Sequence, residues 1–236
     1  MGKNFFRFKR FTVKQDRCAM KVCTDACIQG AWLANRIPTA SCILDLGAGT
    51  GLLMLMLAQK TSGEILGIEL DNEAFSQLQE NLDASPWSTR LTASKGDIRR
   101  FQSDRHFDFI ISNPPFFQDD LKSEQAGRNT AMHSTDLSLP ELLEAIDRHL
   151  SDQGSFGIML PTHRTEYFHS LATRKGYHCT EKLTVKHSRN HRPFRDIMHY
   201  SRSPVGLKES ELIIRNEEGH YTDEFIELLK DYYLIF

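Results

Sequence analysis

From residue 41 onward the chain alternates between two hydrophobic patterns. Short, nearly continuous runs of β-formers occur in SCILDL (41–46), GEILGIEL (63–70), RLTASKGD (90–97), FDFIIS (107–112) and GSFGIMLP (154–161), and they predict strands. Between them, GLLMLMLAQK (51–60), NEAFSQLQENLD (72–83) and LPELLEAIDRHL (139–150) read as helices. A further helix over about 163–175 leads into strands near 177–186 and 194–202, and TDACIQGAWLANRI (24–37) predicts a helix packed on the first strand. Strands separated by single helices of this length pair in parallel through right-handed crossovers. The expected architecture is therefore α/β: a doubly wound, mostly parallel sheet of seven strands, with a short N-terminal extension and a C-terminal strand or helix. Residues 111–137 form the longest stretch without periodicity, and a connection of that length is either functional or mobile.

With 236 residues, 40% of them hydrophobic, the chain can bury one sizeable core. A single domain is expected, divided into a basic and aromatic extension with its helix (1–37), a core (38–205) and an acidic C-terminal tail (206–236). The longest apolar run, near Leu52–Ala58, falls far short of the ~20 residues that cross a bilayer, and MGKNFFRFKR lacks the apolar core of a signal peptide. These features point to a cytoplasmic protein with no membrane partner. Five cysteines (18, 23, 27, 42 and 179) show neither a C-x-x-C pair nor a zinc-like Cys/His spacing, so reduced thiols and no metal are expected.

A net charge of −2 conceals segregation along the chain. Residues 1–21 hold seven Lys/Arg against Asp16 alone, and 186–202 hold five against Asp196, with His187, His191 and His199 in addition. Residues 209–236 carry the compensation, eight Asp/Glu against Arg215 and Lys230.

The candidate chemistry begins at LDLGAGTG (44–51), a glycine turn between the first strand and its helix. A dinucleotide fingerprint would need glycine at position 52, but that residue is Leu52 and the third glycine is Gly51. Asp45 opens the loop with a negative charge, which suits a cationic ligand better than a pyrophosphate. S-adenosylmethionine, with a sulfonium, an ammonium and no phosphate, is such a ligand. Glu69, at the next strand's end, is placed to accept from ribose hydroxyls, and Asp97, after the third strand, from adenine's exocyclic amine. All three carboxylates fall at carboxyl ends of predicted strands, the edge where open α/β sheets bind ligands.

On the same edge the fourth strand ends in ISNPPF (111–116). Two prolines fix φ and remove two N–H donors, so the Pro114 carbonyl is held in one direction, and Asn113 adds a side-chain acceptor beside it. Two fixed acceptors suit a primary amine with two hydrogens, and Phe116 offers a flat face for its base. The amine of adenine is a poor nucleophile because its lone pair is delocalised. Hydrogen bonds to Asn113 and Pro114 favour a pyramidal nitrogen able to displace a sulfonium methyl in line, with positioning and fixed polar groups supplying most of the acceleration. No strong base is required, so neither His133 nor His163 is needed. Stacking on Phe116 would accompany flipping or capture of an unpaired nucleotide.

With these motifs the chain resembles the class I S-adenosylmethionine-dependent methyltransferases of Rossmann-like fold that carry an N-P-P-[FYW] motif. Within them it is similar to the bacterial enzymes that methylate the 6-amino group of adenosine 37 in tRNA1(Val). The likeness covers nearly the whole chain: FRFKRFTVKQDRCAMKVCTDACIQGAW, LDLGAGTGLL, GIELD, GDI, SNPPFF and the ending YTDEFIELLKDYYLIF. The resemblance implies that Asp45, Gly47 and Gly49 line the donor's methionine end, that Glu69 binds its ribose and Asp97 its adenine. Asn113, Pro114, Pro115 and Phe116 would hold the target base, with Asn113 also bordering the donor. KVCTDA matches the family's Lys-x-Gly-Thr-Asp-Gly segment and adds Thr24 to the donor set, with small Cys23 and Ala26 at the glycine positions. The implied partner is tRNA, in its anticodon-loop region; the residues leave the oligomeric state open, with a monomer expected.

NFFRFKRF (4–11) interleaves phenylalanines with basic residues, a pattern that serves either RNA stacking and phosphate neutralisation or a strand with one buried aromatic face. Arg189, Arg192 and Arg195 form a second basic candidate near the substrate entrance. Three rivals are a ribosomal-RNA or DNA amino-methyltransferase, a glutamine methyltransferase acting on release factors, and a non-catalytic RNA-binding module of this fold. The release-factor enzymes usually carry Tyr after the prolines and a larger N-terminal helical domain. A DNA enzyme commonly needs a separate recognition domain. A simple binder has no use for aligned amine acceptors.

Overall fold

A computed structural model describes residues 4–18, 20–38, 41–114 and 137–236. A hairpin of β1 (Phe5–Arg7) and β2 (Thr12–Lys14) precedes α1 (Thr24–Ala34). The alternating part follows as β3 (Ile43–Leu46), α2 (Leu52–Ala58), β4 (Ile65–Glu69), α3 (Asn72–Asp83), β5 (Leu91–Lys95) and β6 (Phe107–Ser112). It continues with α4 (Leu139–His149), β7 (Leu150–Pro161), α5 (Thr162–Arg174), β8 (His178–Lys186), β9 (Arg195–Ser201), β10 (Lys208–Ile213) and α6 (Asp223–Leu229). The main sheet runs β10-β8-β9-β7-β6-β3-β4-β5 and is parallel except for β9, which is antiparallel to both neighbours.

The central strands are apolar because both of their faces are covered. Along β6, Phe109 and Ile111 enter one core with Leu33 of α1 and Met54 of α2, while Ile110 enters a second core with Leu142 and Ile146 of α4 and Phe168 of α5. Local signals start the helices where the pattern places them. Asp71 caps α3 by accepting from the Glu73 and Ala74 amides, and Ser138 and Glu141 form a reciprocal capping box at α4.

The sheet has eight strands where seven are expected. The eighth, β10, is the strand of the C-terminal segment, expected as a strand or helix outside the sheet; it joins the sheet although only Leu212 in KESELI is buried. This edge strand is held by its parallel ladder with β8, from Lys208 opposite Glu181 to Ile213 opposite Lys186, and charge pairs supplement it: Lys182 meets Glu209 and Lys186 meets Glu211, both at 2.5 Å.

At the N-terminal arm the buried-face reading prevails for most of the aromatics. Phe8 and Phe11 are buried and stacked at 4.5 Å, and Phe6 packs on Phe8 and Tyr233, leaving Phe5 exposed. The C-terminal segment is their partner. Phe8 bridges Tyr233, the Lys9 amide donates to Tyr232 O at 2.8 Å, and Lys9 Nζ donates to Lys230 O and Phe236 O at 2.6 and 2.7 Å.

The approach of α1 to the sheet rests on Gly157 of β7. A Cβ there would lie 2.4 Å from Leu33 Cδ1, inside a side chain that is itself fully buried. Gly157→Ala should cost about 1–3 kcal/mol through overpacking, read as a lower urea midpoint at unchanged m.

Candidate active site

The glycines of the first turn are required by its backbone. Gly47, Gly49 and Gly51 all have positive φ, at 83°, 55° and 82°, a region that costs a side-chain-bearing residue strain. The Gly47 and Ala48 amides donate to Ile68 O at 3.0 and 2.9 Å, which ties the turn to the end of β4. Glu69 completes the tie: its Oε2 accepts from the Gly49 amide and its Oε1 from the Asp71 amide, both at 2.8 Å. Each oxygen keeps acceptor capacity for a hydroxyl.

Gly47, Gly49, Glu69, Asp97 and Asn113 border one cavity of about 460 Å³ at the carboxyl edge of the sheet, within the usual ~300–1,000 Å³ of small-molecule sites. Met20, Leu70, Ile98 and Leu137 give it apolar walls. Asp97 is already engaged: Arg99 Nε and Nη2 reach its carboxylate at 2.7–3.0 Å and hold its pKa below the usual range. Five of the residues singled out from sequence thus converge on a single hollow.

Asp45 lies on β3, two residues before Gly47, and is fully buried. Neither of its carboxylate oxygens has a partner among the described residues. Burial, with the charge of Glu69 adding to it, pushes the carboxyl up to about 8. A buried acid without a partner is costly, and a cation bound nearby would relieve that cost. The cavity fits S-adenosylmethionine, with Glu69 for hydroxyls and an apolar wall for an adenine, while Asp45 does not itself border it and would act on a bound cation through its charge alone.

Asn113 Oδ1 is likewise buried without a partner among the described residues. Pro114 beside it is buried, whereas Pro115 and Phe116 of the same motif, His133 and the rest of 115–136 lie outside the described residues. Two residues not foreseen from sequence steady this corner. Gln29, fully buried on α1, donates Nε2 to Ser112 O at 2.8 Å, and Ser112 Oγ donates to Leu46 O at 2.8 Å. The tip of β6 is thereby held immediately before Asn113. The only sequence signal is a lone glutamine within the otherwise apolar or small run ACIQGAWLA.

The N-terminal arm reaches the site by a second unforeseen route. Buried Asn81 of α3 accepts from the Lys14 amide at 2.8 Å and donates to Lys14 O and Thr50 O, each at 2.9 Å, joining the arm to the glycine turn. Farther along the arm, Met20 borders the cavity. Thr24 is exposed at the start of α1 and does not border it. Cys23 has φ −126° and ψ 157°, ordinary extended geometry, and no described non-glycine residue has positive φ, so neither Cys23 nor Ala26 is strained. Of the three arginines proposed near the entrance, Arg195 is paired with Asp25 at 2.9 Å, while Arg189 and Arg192 are exposed.

Fold and site together define the class, an S-adenosylmethionine-dependent methyltransferase of class I. The family model of the methyltransferase small domain matches residues 29–173. Solved structures share the fold: a predicted O-methyltransferase of Agrobacterium tumefaciens has a TM-score of 0.69 at 16% identity, over 87% of this chain and 95% of that one. A glycopeptide N-methyltransferase in complex with S-adenosylmethionine has a TM-score of 0.56 at 14% identity, over 75% and 94%. Curated relatives named tRNA1(Val) (adenine(37)-N6)-methyltransferase are much nearer in sequence. That of Dyadobacter fermentans is 45% identical over 98% of both chains, and that of Tolumonas auensis 40% over 99% of this chain and 98% of its own. The chain belongs to the family of tRNA1(Val) (adenine(37)-N6)-methyltransferases.

The raised pKa of Asp45 gives a test with a defined sign. A carboxyl whose folded pKa lies above its unfolded value favours the fold while protonated, and that contribution is lost as pH rises from 3.8 through about 8. The stability of Asp45→Asn relative to the parent should therefore grow with pH across that window in thermal melts without donor. Donor binding near pH 7 should release up to about one proton from the parent and none from the variant, read by calorimetry in buffers of different ionisation enthalpy, with weaker donor binding by the variant.

Proposed function

We propose that this chain methylates the exocyclic 6-amino group of an adenosine in tRNA, at adenosine 37 of tRNA1(Val) as its relatives are named, using S-adenosylmethionine. The observation that carries the reading is Asn113 Oδ1, a buried acceptor without a partner among the described residues, bordering the same cavity as Glu69 and Asp97. An orphaned amide oxygen there is set to receive an N–H, and the neighbouring Pro114 carbonyl supplies the second acceptor for the same amine.

The protein's own residues do the positioning. Asn113 and Pro114 accept the two amine hydrogens, so the nitrogen's lone pair is drawn out of conjugation and aimed by groups that need no reorganisation. Gln29 and Ser112 hold the strand tip from which these acceptors project. Asp45 and Glu69 supply the acidic side of the donor site, and Asp97 its adenine end. When bound, S-adenosylmethionine supplies a methyl group on a positively charged sulfur. No general base is assigned, because the amine becomes acidic as it is methylated. Pro115 and Phe116 complete the motif, with the Phe116 ring as the proposed stacking face. We place it in the cytoplasm with its tRNA, as a monomer reading the anticodon-loop region and using no metal.

The test is transfer of labelled methyl to tRNA from a strain lacking this protein, followed by nucleoside analysis. A new 6-methyladenosine confined to a valine tRNA is expected. Labelling of ribosomal RNA, DNA or a protein glutamine in its place would overturn the assignment. Asn113→Ala should lower the transfer rate at least ~100-fold while donor affinity stays within about 3-fold, since its role lies in the transition state.

A further inference from the structure

We propose that the tip of the β8–β9 hairpin, residues 187–194, is the surface that grips the RNA beside the target adenosine, with His187 on Phe194 as a stacking platform and Arg189 and Arg192 as phosphate-binding groups. The inference rests on the reading of the chain as an RNA methyltransferase. It begins from strand register. Ser112, just before Asn113, pairs with Ile158 of β7, and β7 runs three residues further to Pro161, which pairs with Arg195 at the start of β9. Arg195 also pairs with Val185 near the end of β8. At ~3.3 Å per residue and ~4.8 Å between strands, the base of the hairpin at Val185 and Arg195 stands about 10 Å beyond Ser112 and two to three strands to its side, on the same sheet edge, and the tip extends from there. A few nucleotides of single strand span that distance.

The chemistry of the tip is suited to RNA. HSRNHRPF contains no acidic residue, and Arg189 and Arg192 are exposed without an acidic partner among the described residues. The flanking basic residues are already committed, Lys186 to Glu211 and Arg195 to Asp25, so those two arginines are the cations the tip presents. The rings of His187 and Phe194 are stacked at 4.1 Å and nearly parallel, at 3°. The turn beneath them is closed: the His191 amide donates to Ser188 O at 3.1 Å, Ser188 Oγ meets His191 Nδ1 at 2.7 Å, and the Phe194 amide donates to Val185 O at 3.1 Å. An exposed imidazole on a half-buried phenyl ring, held by an ordered turn and flanked by arginines, matches how single-stranded RNA is bound, by base stacking with phosphate neutralisation. Glu217 and Glu218 share a hollow with Arg189 near the end of β10 and close the patch on the side away from β6.

The test compares the parent with His187→Ala and with the double variant Arg189→Gln/Arg192→Gln, all positions being exposed. It uses tRNA binding as a function of salt, methyl-transfer kinetics on the same tRNA, and calorimetry with S-adenosylmethionine. The double variant should bind tRNA at least ~10-fold more weakly, with the slope of log affinity against log salt reduced by about 0.7 for each single-strand phosphate that is no longer neutralised. His187→Ala should weaken binding with little change in that slope. In both, the rise in KM for tRNA should exceed any fall in kcat, and donor affinity should hold. Unchanged tRNA affinity and salt slope in variants of a parent that methylates tRNA would overturn the hairpin assignment and leave the activity standing. A parent that transfers no methyl to tRNA would remove the activity reading. RNA binding abolished in the double variant would then still uphold the hairpin, and a parent that binds no RNA would overturn both.

Discussion

An acid with no partner among the described residues, Asp45, sits near the end of a central strand, and the turn that follows it shares its buried surroundings. The strand must be buried on both faces for the sheet to hold, so the carboxyl inherits a dry environment and is pushed up to about 8. The turn that follows places three left-handed glycines beside it, and Glu69 pins that turn while keeping acceptor capacity toward the cavity. A group that weakens the empty protein is therefore also the group that a cationic donor would stabilise. Strain of this kind is expected where binding, more than fold stability, is under selection.

The acceptor side is built differently. Asn113 and Pro114 follow a strand tip fixed from two directions, by Gln29 from α1 and by Ser112 to the end of β3. Rigid backbone and buried hydrogen bonds set the direction of these two groups, which is what the proposed amine target requires of them. The two proposed halves meet at Asn113, which borders the cavity and whose buried Oδ1 has no partner among the described residues.

Much of this architecture is legible in the residues alone. Buried strands announce themselves by continuous apolar runs, and the GAGTG turn, Glu69, Asp97 and Asn113 fall at strand ends that those runs define. What stays hidden depends on partners distant in the chain. β10 looks like part of a solvated acidic tail because the strand it pairs with, β8, lies more than 20 residues earlier in the chain. Arg195 reads as one more cation of a basic run until Asp25, 170 residues away, claims it. For Phe8 and Phe11 the residues alone leave base stacking and a buried aromatic face both open, and the return of Tyr232 and Tyr233 decides for the core. Gln29 gives almost no signal, since a single amide in a helix says nothing about which carbonyl it will reach.

The clasp between the two ends of the chain also bears on the order in which the enzyme is assembled during synthesis. The carbonyls that Lys9 grips belong to residues 221 and 227 positions downstream. The arm that leads to Met20 at the cavity lacks this anchorage until translation has delivered that segment. Contacts of such sequence separation form late. A nascent chain can thus hold the arm against the glycine turn through Asn81 and Lys14 once α3 has folded, while the clasp at Lys9 closes only when the last residues have been delivered.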